Sequence, residues 1–426
     1  MNPEVKFLLY KTKFPYLWGS QLLSQLTIQI VNFLLLISLF EKTNSTIAIS
    51  FLWIVLAMPA VMIGPIAASL ADMVDKRNLL MYSTILQAIA IFIFSFFFER
   101  YLYLTYAIAF FYAFINQFYV PAEAASVPRL VPKKRLPFAN GLFFMTQQLS
   151  IMVGVGMAGI LASLLGFEWA IRLNSILMFF AFISVRFLPA LPASKKITIE
   201  SFEEGISKFY GHIVEGYHYI KNTRNVKMPF LLLLSLQVAV AIIVTNLPVI
   251  ASEIVQINPR YSGILMVAPA GIGAMLATMG IAKQLKSGIR KRKIIEASLL
   301  TLSVAVLLIA GLSVMHTSLR LVLALICFAA VGYSYVGITI PSQTFLQEST
   351  PKKFTGRVFG NFWFLAAIAL VIPTLFSATI TEVLGIRTLL VIFAIVVAIV
   401  TWVSHRFADK LFYNNGSPVA AQEGNL

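Results

Sequence analysis

Twelve apolar stretches recur along this 426-residue chain, each long enough to form a helix across a bilayer. They lie at roughly 15–40, 46–70, 78–98, 102–125, 139–165, 169–188, 228–252, 260–284, 293–315, 319–345, 357–382 and 385–407. About 20 apolar residues suffice to cross the hydrocarbon layer as a helix. A chain that is 59% hydrophobic and 12% charged cannot hide so much apolar side chain in a water-soluble fold, since a soluble domain carries about 25% charged residues. The bilayer is therefore the solvent, and backbone groups in lipid must bond within their own segment. The expected fold class is an all-α integral membrane protein with twelve transmembrane helices.

The net charge of +16 would suit a nucleic-acid binder if it were evenly spread, but its distribution points to a membrane instead. All but six of the 33 lysines and arginines fall in alternate loops and at the termini; the exceptions are Lys42, Arg100, Arg172, Arg260, Arg320 and Arg387. Basic loops stay on the cytoplasmic side, so both termini are expected inside a multi-pass protein of the cell (inner or plasma) membrane. No nucleic-acid partner is implied. One cysteine, Cys327, and four scattered histidines provide neither a disulfide framework nor a metal site. The first apolar run is long and continues into further spans, unlike a cleavable signal peptide.

The chain divides into an N-terminal six-helix bundle (1–188), a linker (189–227), a C-terminal bundle (228–410) and a disordered tail (411–426). The linker is expected to lie in the cytoplasm, with an interfacial amphipathic helix around Phe202 to Ile220. The halves read as copies. Pro132-Lys133-Lys134 precedes Gly141, and Pro351-Lys352-Lys353 precedes Gly360 at the same offset. Duplicated halves of this kind are a build of secondary transporters.

The polar break between the second and third spans is very short. Leu70, Ala71, Asp72, Lys76, Arg77 and Leu80 there match the signature loop G-x-L-A-D-R-x-G-R-K-x-x-L. This loop resembles that of the major facilitator superfamily. Ala68 and Asp75 replace its glycines and Met73 replaces an arginine. The run from Phe118 to Leu142 carries Pro121, Ala122, Ala125, Pro128, Leu130, Val131, Pro132, Ala139, Asn140 and Leu142. It is similar to the bacterial macrolide-efflux-like branch, the drug:H+ antiporter-3 type. Tyr261 to Leu265 and Gln347 to Val358 extend the likeness into the second half. The resemblance implies two six-helix halves around a central cavity, in a bacterial secondary transporter that exports a small amphipathic compound by alternating access in exchange for protons, acting as a monomer. Lysophospholipid or siderophore and metabolite carriage in the same branch stay open. A non-transporting sensor or scaffold would want a large soluble domain, and the linker and tail are too short to hold one.

Gln21, Gln25, Gln29 and Asn32 share one face of the first span by their spacing. Amides are costly in lipid, so this face looks at protein or water. It serves either as a cavity wall or as interhelical glue; the first span lines the cavity in the transporters this chain resembles. Matching cavity candidates are Tyr112, Asn116 and Gln117 on the fourth span, Gln237 and Asn246 on the seventh, and Tyr333, Tyr335 and Gln343 on the tenth. Aromatic residues such as Phe33 and Trp363 would suit an apolar or amphipathic ligand. The resemblance further implies a cytoplasmic gate of Asp72, Lys76, Arg77 and Arg357, with Asp72 meeting Arg357 at the start of the eleventh span. Glu123, within the fourth span, is the proton-coupling candidate; a local pair with Arg129 is the alternative. Gly154, Gly156 and Gly159 satisfy G-x-G-x-x-G, but inside a span and with no preceding strand they serve helix packing rather than nucleotide binding. Relatives carry a Gly/Pro-rich antiporter motif there, and this chain has no proline in it. No Walker-type sequence and no catalytic constellation occur, so no cofactor, no ATP-driven step and no enzymatic activity are expected.

Overall fold

The computed structural model describes residues 3–98, 101–193 and 199–412. The described residues are helical, with no strand among them. A short α1 (Pro3–Lys11) leads into α2 (Phe14–Thr43), α3 (Thr46–Met73), α4 (Lys76–Phe97), α5 (Leu102–Leu130) and the long α6 (Leu136–Arg186). The linker holds α7 (Ile199–Asn222). The second half runs through α8 (Arg224–Thr245), one turn α9 (Leu247–Val249), α10 (Ala268–Lys286), α11 (Lys291–Gly311), α12 (Thr317–Ser349), α13 (Lys352–Ala369), α14 (Val371–Leu384) and α15 (Ile386–Phe412). The tail expected from 411 lies almost wholly outside the described residues.

Ten of the described segments are long and apolar enough to cross a membrane. One of them, Lys133–Arg186, contains two arms that meet at Gly166 (φ 78°, ψ 159°). The 29-residue α5 is not among the ten, because Tyr, Asn, Gln, Pro and Glu dilute its hydropathy. Taking the arms of α6 separately and adding α5 accommodates the twelve spans read from the sequence.

The repeat is visible in the backbone. Gly166 breaks the first half as Gly385 (φ 83°, ψ 154°) breaks the second, at the offset that relates Pro132 to Pro351. Both glycines occupy a positive-φ conformation that side chains with a Cβ rarely adopt. Loop chemistry sets the other ends. Asn44 takes the left-handed conformation that closes α2, and the Ser45 hydroxyl caps α3 by accepting from the Ala48 amide. Proline interrupts α5 at Pro121 and Pro128, α8 at Pro229 and α12 at Pro341.

The core runs through the second half of α2, where Ile30 to Phe40 are almost all buried. Large apolar residues on the outer surface, such as Leu164, Met279 and Ile372, stay exposed as a lipid-facing belt requires. Between helices, lipid supplies no hydrophobic drive, so close approach depends on small residues. A Cβ at Gly273 would lie 1.8 Å from the Ala329 carbonyl oxygen, and one at Gly332 would lie 1.8 Å from that of Ala270. The two glycines thus bring α10 and α12 into backbone contact. Gly332→Val should part these helices at a cost of about 1–3 kcal/mol. A thermal midpoint in detergent several degrees below wild type would show it, and an unchanged midpoint would contradict the packing.

Candidate functional site

The amide face of α2 lies against the first arm of α6. Gln21 is buried, and its Nε2 donates to the Phe143 carbonyl at 3.1 Å. Gln29 packs at Gly154, where an added Cβ would come within 2.7 Å of the Gln29 Cβ. Gln25 and Asn32 are half-buried. Two buried oxygens on this face, Gln21 Oε1 and Asn32 Oδ1, have no hydrogen-bond partner among the described residues. Of the glycine run, Gly154 is therefore part of the α2–α6 seam, and much of the amide face is helix contact with unused acceptors.

A polar cluster outside the amide row is the more complete constellation. The Tyr119 hydroxyl donates to Glu123 Oε1 at 3.1 Å and accepts from Ser24 Oγ at 3.3 Å, with Ser20 Oγ at 3.2 Å. Ser20 and Ser24 stand one turn apart on α2, and Tyr119 and Glu123 one turn apart on α5. All four are buried. The matched i, i+4 spacings were the available signal, but only helix packing reveals that they face each other. Arg129 reaches the Pro192 carbonyl.

The remaining cavity candidates separate by environment. Tyr112 is buried with an unpartnered hydroxyl. Asn116 is half-buried, as is Gln117, which donates to the Ala113 carbonyl at 3.3 Å. Gln237, Tyr333, Tyr335 and Gln343 are half-buried. Asn246 is fully buried and already occupied: it donates to Ile242 O at 2.9 Å and Ser377 Oγ at 3.3 Å, and accepts from Thr381 Oγ1 at 2.6 Å. It ties α8 to α14. The Trp363 side chain lies outside the described residues.

The signature loop holds the chain that follows α6. Asp75 caps α4 by accepting from the Asn78 amide at 3.1 Å, and its second oxygen accepts from the Leu191 amide at 3.0 Å. The Lys76 amide donates to Leu191 O at 3.0 Å, and Arg77 Nη2 to Arg186 O at 2.7 Å. The Lys76 side chain is fully buried. The Asp72 side chain lies outside the described residues. Arg357, its expected gate partner, is engaged by the linker helix: it pairs with Glu215 and lies over the Phe354 ring, which stacks on Tyr219 at 4.4 Å.

The two halves are joined where α2 ends and α3 begins. Arg260 forms a two-point ion pair with Glu41 at 2.6 and 2.8 Å. The Glu382 carboxylate, at the end of α14, accepts from Ser45 Oγ at 2.5 Å, Thr46 Oγ1 at 3.3 Å and the Ile47 amide at 3.0 Å. It thereby caps the positive end of a helix in the other half. Below it, Ser50 Oγ donates to Thr374 O at 3.1 Å. A Cβ at Gly159 would lie 1.6 Å from Arg260 O, and one at Gly263 would lie 2.1 Å from Val155 O and 3.3 Å from the Phe33 ring. None of these contacts was expected from sequence, since their partners are more than a hundred residues apart. No cluster of metal-ligating side chains occurs among the described residues.

Two helical bundles sealed at one end, with polar groups held between their helices, define a membrane carrier. The sequence model of the Major Facilitator Superfamily matches residues 17–374, and the chain belongs to that superfamily; it is a transporter and not an enzyme. Macrolide efflux protein A of Streptococcus pyogenes is 24% identical over 394 residues, covering 90% of this chain and 92% of the relative. The MFS-type transporter YfiS of Bacillus subtilis (strain 168) is 22% identical over 397 residues, 89% of each chain. Among solved structures, a POT family transporter in complex with a thioalcohol-conjugated peptide aligns with a TM-score of 0.73 at 14% identity, covering 93% of this chain and 96% of the other. A mutant form of nucleoside transporter NupG aligns at 0.69 and 15% identity, covering 94% and 100%. At these identities the structures speak for the fold alone.

Glu382→Ala removes one acceptor shared by three donors at the sealed end. In a Cys327→Ser background, the thiol introduced by Ser50→Cys at this buried position should then react severalfold faster with a membrane-impermeant maleimide. Equal rates with and without Glu382 would show that the carboxylate holds nothing shut.

Proposed function

We propose that this transporter exports a small amphipathic compound across a bacterial cell membrane in exchange for protons, as a monomer with both termini in the cytoplasm. The observation that carries the coupling is the buried Ser24–Tyr119–Glu123 chain between α2 and α5. A carboxyl in a membrane interior is costly to keep charged unless paired, and marks a proton or ion path by default. Here its described partner is a hydroxyl that donates to it and itself accepts from a serine, and no cation pairs with it among the described residues. The substrate class rests on likeness to macrolide efflux protein A together with the polar but uncharged character of the candidate wall.

In an alternating-access cycle, the joined end near Glu41 and Arg260 is the extracellular gate in its closed state. Gln25, Asn116, Gln117, Gln237, Tyr333, Tyr335 and Gln343, all half-buried, are the cavity candidates with room to meet substrate. Asp72, Lys76, Arg77 and Arg357 form the cytoplasmic gate in this reading, with the linker helix holding Arg357 through Glu215 while the extracellular end is shut.

In a pump-deficient bacterium, expression should lower accumulation of ethidium and a macrolide, and a protonophore should restore it. Unchanged accumulation, with the protein confirmed in the membrane, would reject drug export and direct the search to a narrow lipid or metabolite substrate. In proteoliposomes loaded with a pH dye, Glu123→Gln should abolish substrate-driven proton movement while the protein still inserts. Full coupling in that variant would exclude Glu123 as the carrier.

A further inference from the structure

The loop joining α10 to α11 repeats the one joining α3 to α4, with one charge reversed. Asp75, Lys76 and Arg77 correspond at a common offset to Arg290, Lys291 and Arg292. The match is structural: Arg77 Nη2 donates to Arg186 O near the end of α6, and Arg292 Nη2 donates to His405 O in α15 at 2.9 Å. Asp75 and Arg290 each hold the N-cap position in extended backbone (φ −64°, ψ 120° and φ −59°, ψ 129°). In the first half the cap is a carboxylate that neutralises the positive end of α4. In the second half no side chain caps the 21-residue α11, and an arginine stands where the acid would be. Two positive features thus meet without a capping carboxylate among the described residues.

Beside this helix end lies a cavity of about 560 Å³, lined by Arg290, Leu232, Leu285, Ile295, Ser342 and Phe345 among others. Ser342 is completely buried, and its hydroxyl has no hydrogen-bond partner among the described residues. The nearby acids are already engaged. Glu348, on the cavity wall, pairs with Lys291, and Glu296 pairs with Arg292 and faces His405 Nδ1 at 3.2 Å. Arg290 makes no ion pair among the described residues. An anion here would meet the open amides of a helix start, a guanidinium and a waiting hydroxyl, while Leu232, Leu285, Ile295 and Phe345 present an apolar wall.

We propose that this cavity binds a phosphate-bearing anion, which supplies at α11 the negative charge that Asp75 supplies at α4. The source is either the headgroup of an anionic phospholipid, with its chain against the apolar wall, or a soluble phosphate. The full-length protein, purified in detergent, is titrated with phosphatidylglycerol, phosphatidylcholine or inorganic phosphate; thermal midpoint and native mass spectrometry are the readouts. One phosphatidylglycerol should be retained per chain and raise the midpoint, with phosphatidylcholine giving neither effect. Arg290→Asp, which restores the carboxylate of the first half, should weaken retention at least tenfold, and Ser342→Ala severalfold. If Arg290→Asp does not fold, Arg290→Gln makes the same comparison by removing the charge. The same variant-sensitive shift with inorganic phosphate alone would identify the soluble source. Binding that is equal in wild type and the Arg290 variants, equal for phosphatidylcholine, or absent for both anions would overturn the proposal.

Discussion

The absence of water in the bilayer interior governs everything else in this molecule. A backbone amide or carbonyl without a partner there costs several kcal/mol, which leaves helices or a closed barrel, and apolar runs of this length select helices. The same constraint disciplines its side chains. Thr84, Ser126, Ser163, Thr339 and Thr401 each return their hydroxyl to the carbonyl four residues back. Polar groups that do more than this reach another helix, and those reaches mark where the helices are tied together.

Three kinds of tie divide the labour. Within a half, glycine-mediated backbone contact sets the spacing of α10 and α12, and Asn246 locks α8 to α14. Between halves, carboxylates act at the rim, where Glu41 meets Arg260 and Glu382 caps α3. Contacts between charged and capping groups are reversible, because water can replace each partner as it is released. On the side of the termini, the signature loop clasps the segment after α6, and the linker helix clasps α13 through Glu215 and Tyr219.

Duplication makes the two halves alike, and their differences carry the information. Gly166 and Gly385 adopt nearly the same conformation, and Arg77 and Arg292 make the same kind of bond. Against that background the change from Asp75 to Arg290 leaves one helix start without its built-in anion. The buried carboxyl is likewise one-sided: Glu123 stands in α5, while the corresponding α12 carries a buried Ser342 and no acid in its transmembrane stretch. The duplicated scaffold thus carries different polar groups at matching positions of its two halves.

Hydropathy, charge asymmetry and two short motifs determined the membrane environment, the helical class, the duplicated halves and the superfamily. These follow from composition and period, which are local properties. Glu123, the motif loop and the amide row of α2 could also be picked out, because a polar residue in an apolar run is conspicuous. Their partners could not. That Gln21 and Gln29 press against α6, that Asn246 is occupied, that Arg357 meets Glu215, and that Ser24 reaches Glu123 through Tyr119 depend on which helix faces become neighbours. Contacts between residues a hundred or more positions apart are set by packing of whole helices, and no spacing rule within a single span encodes them.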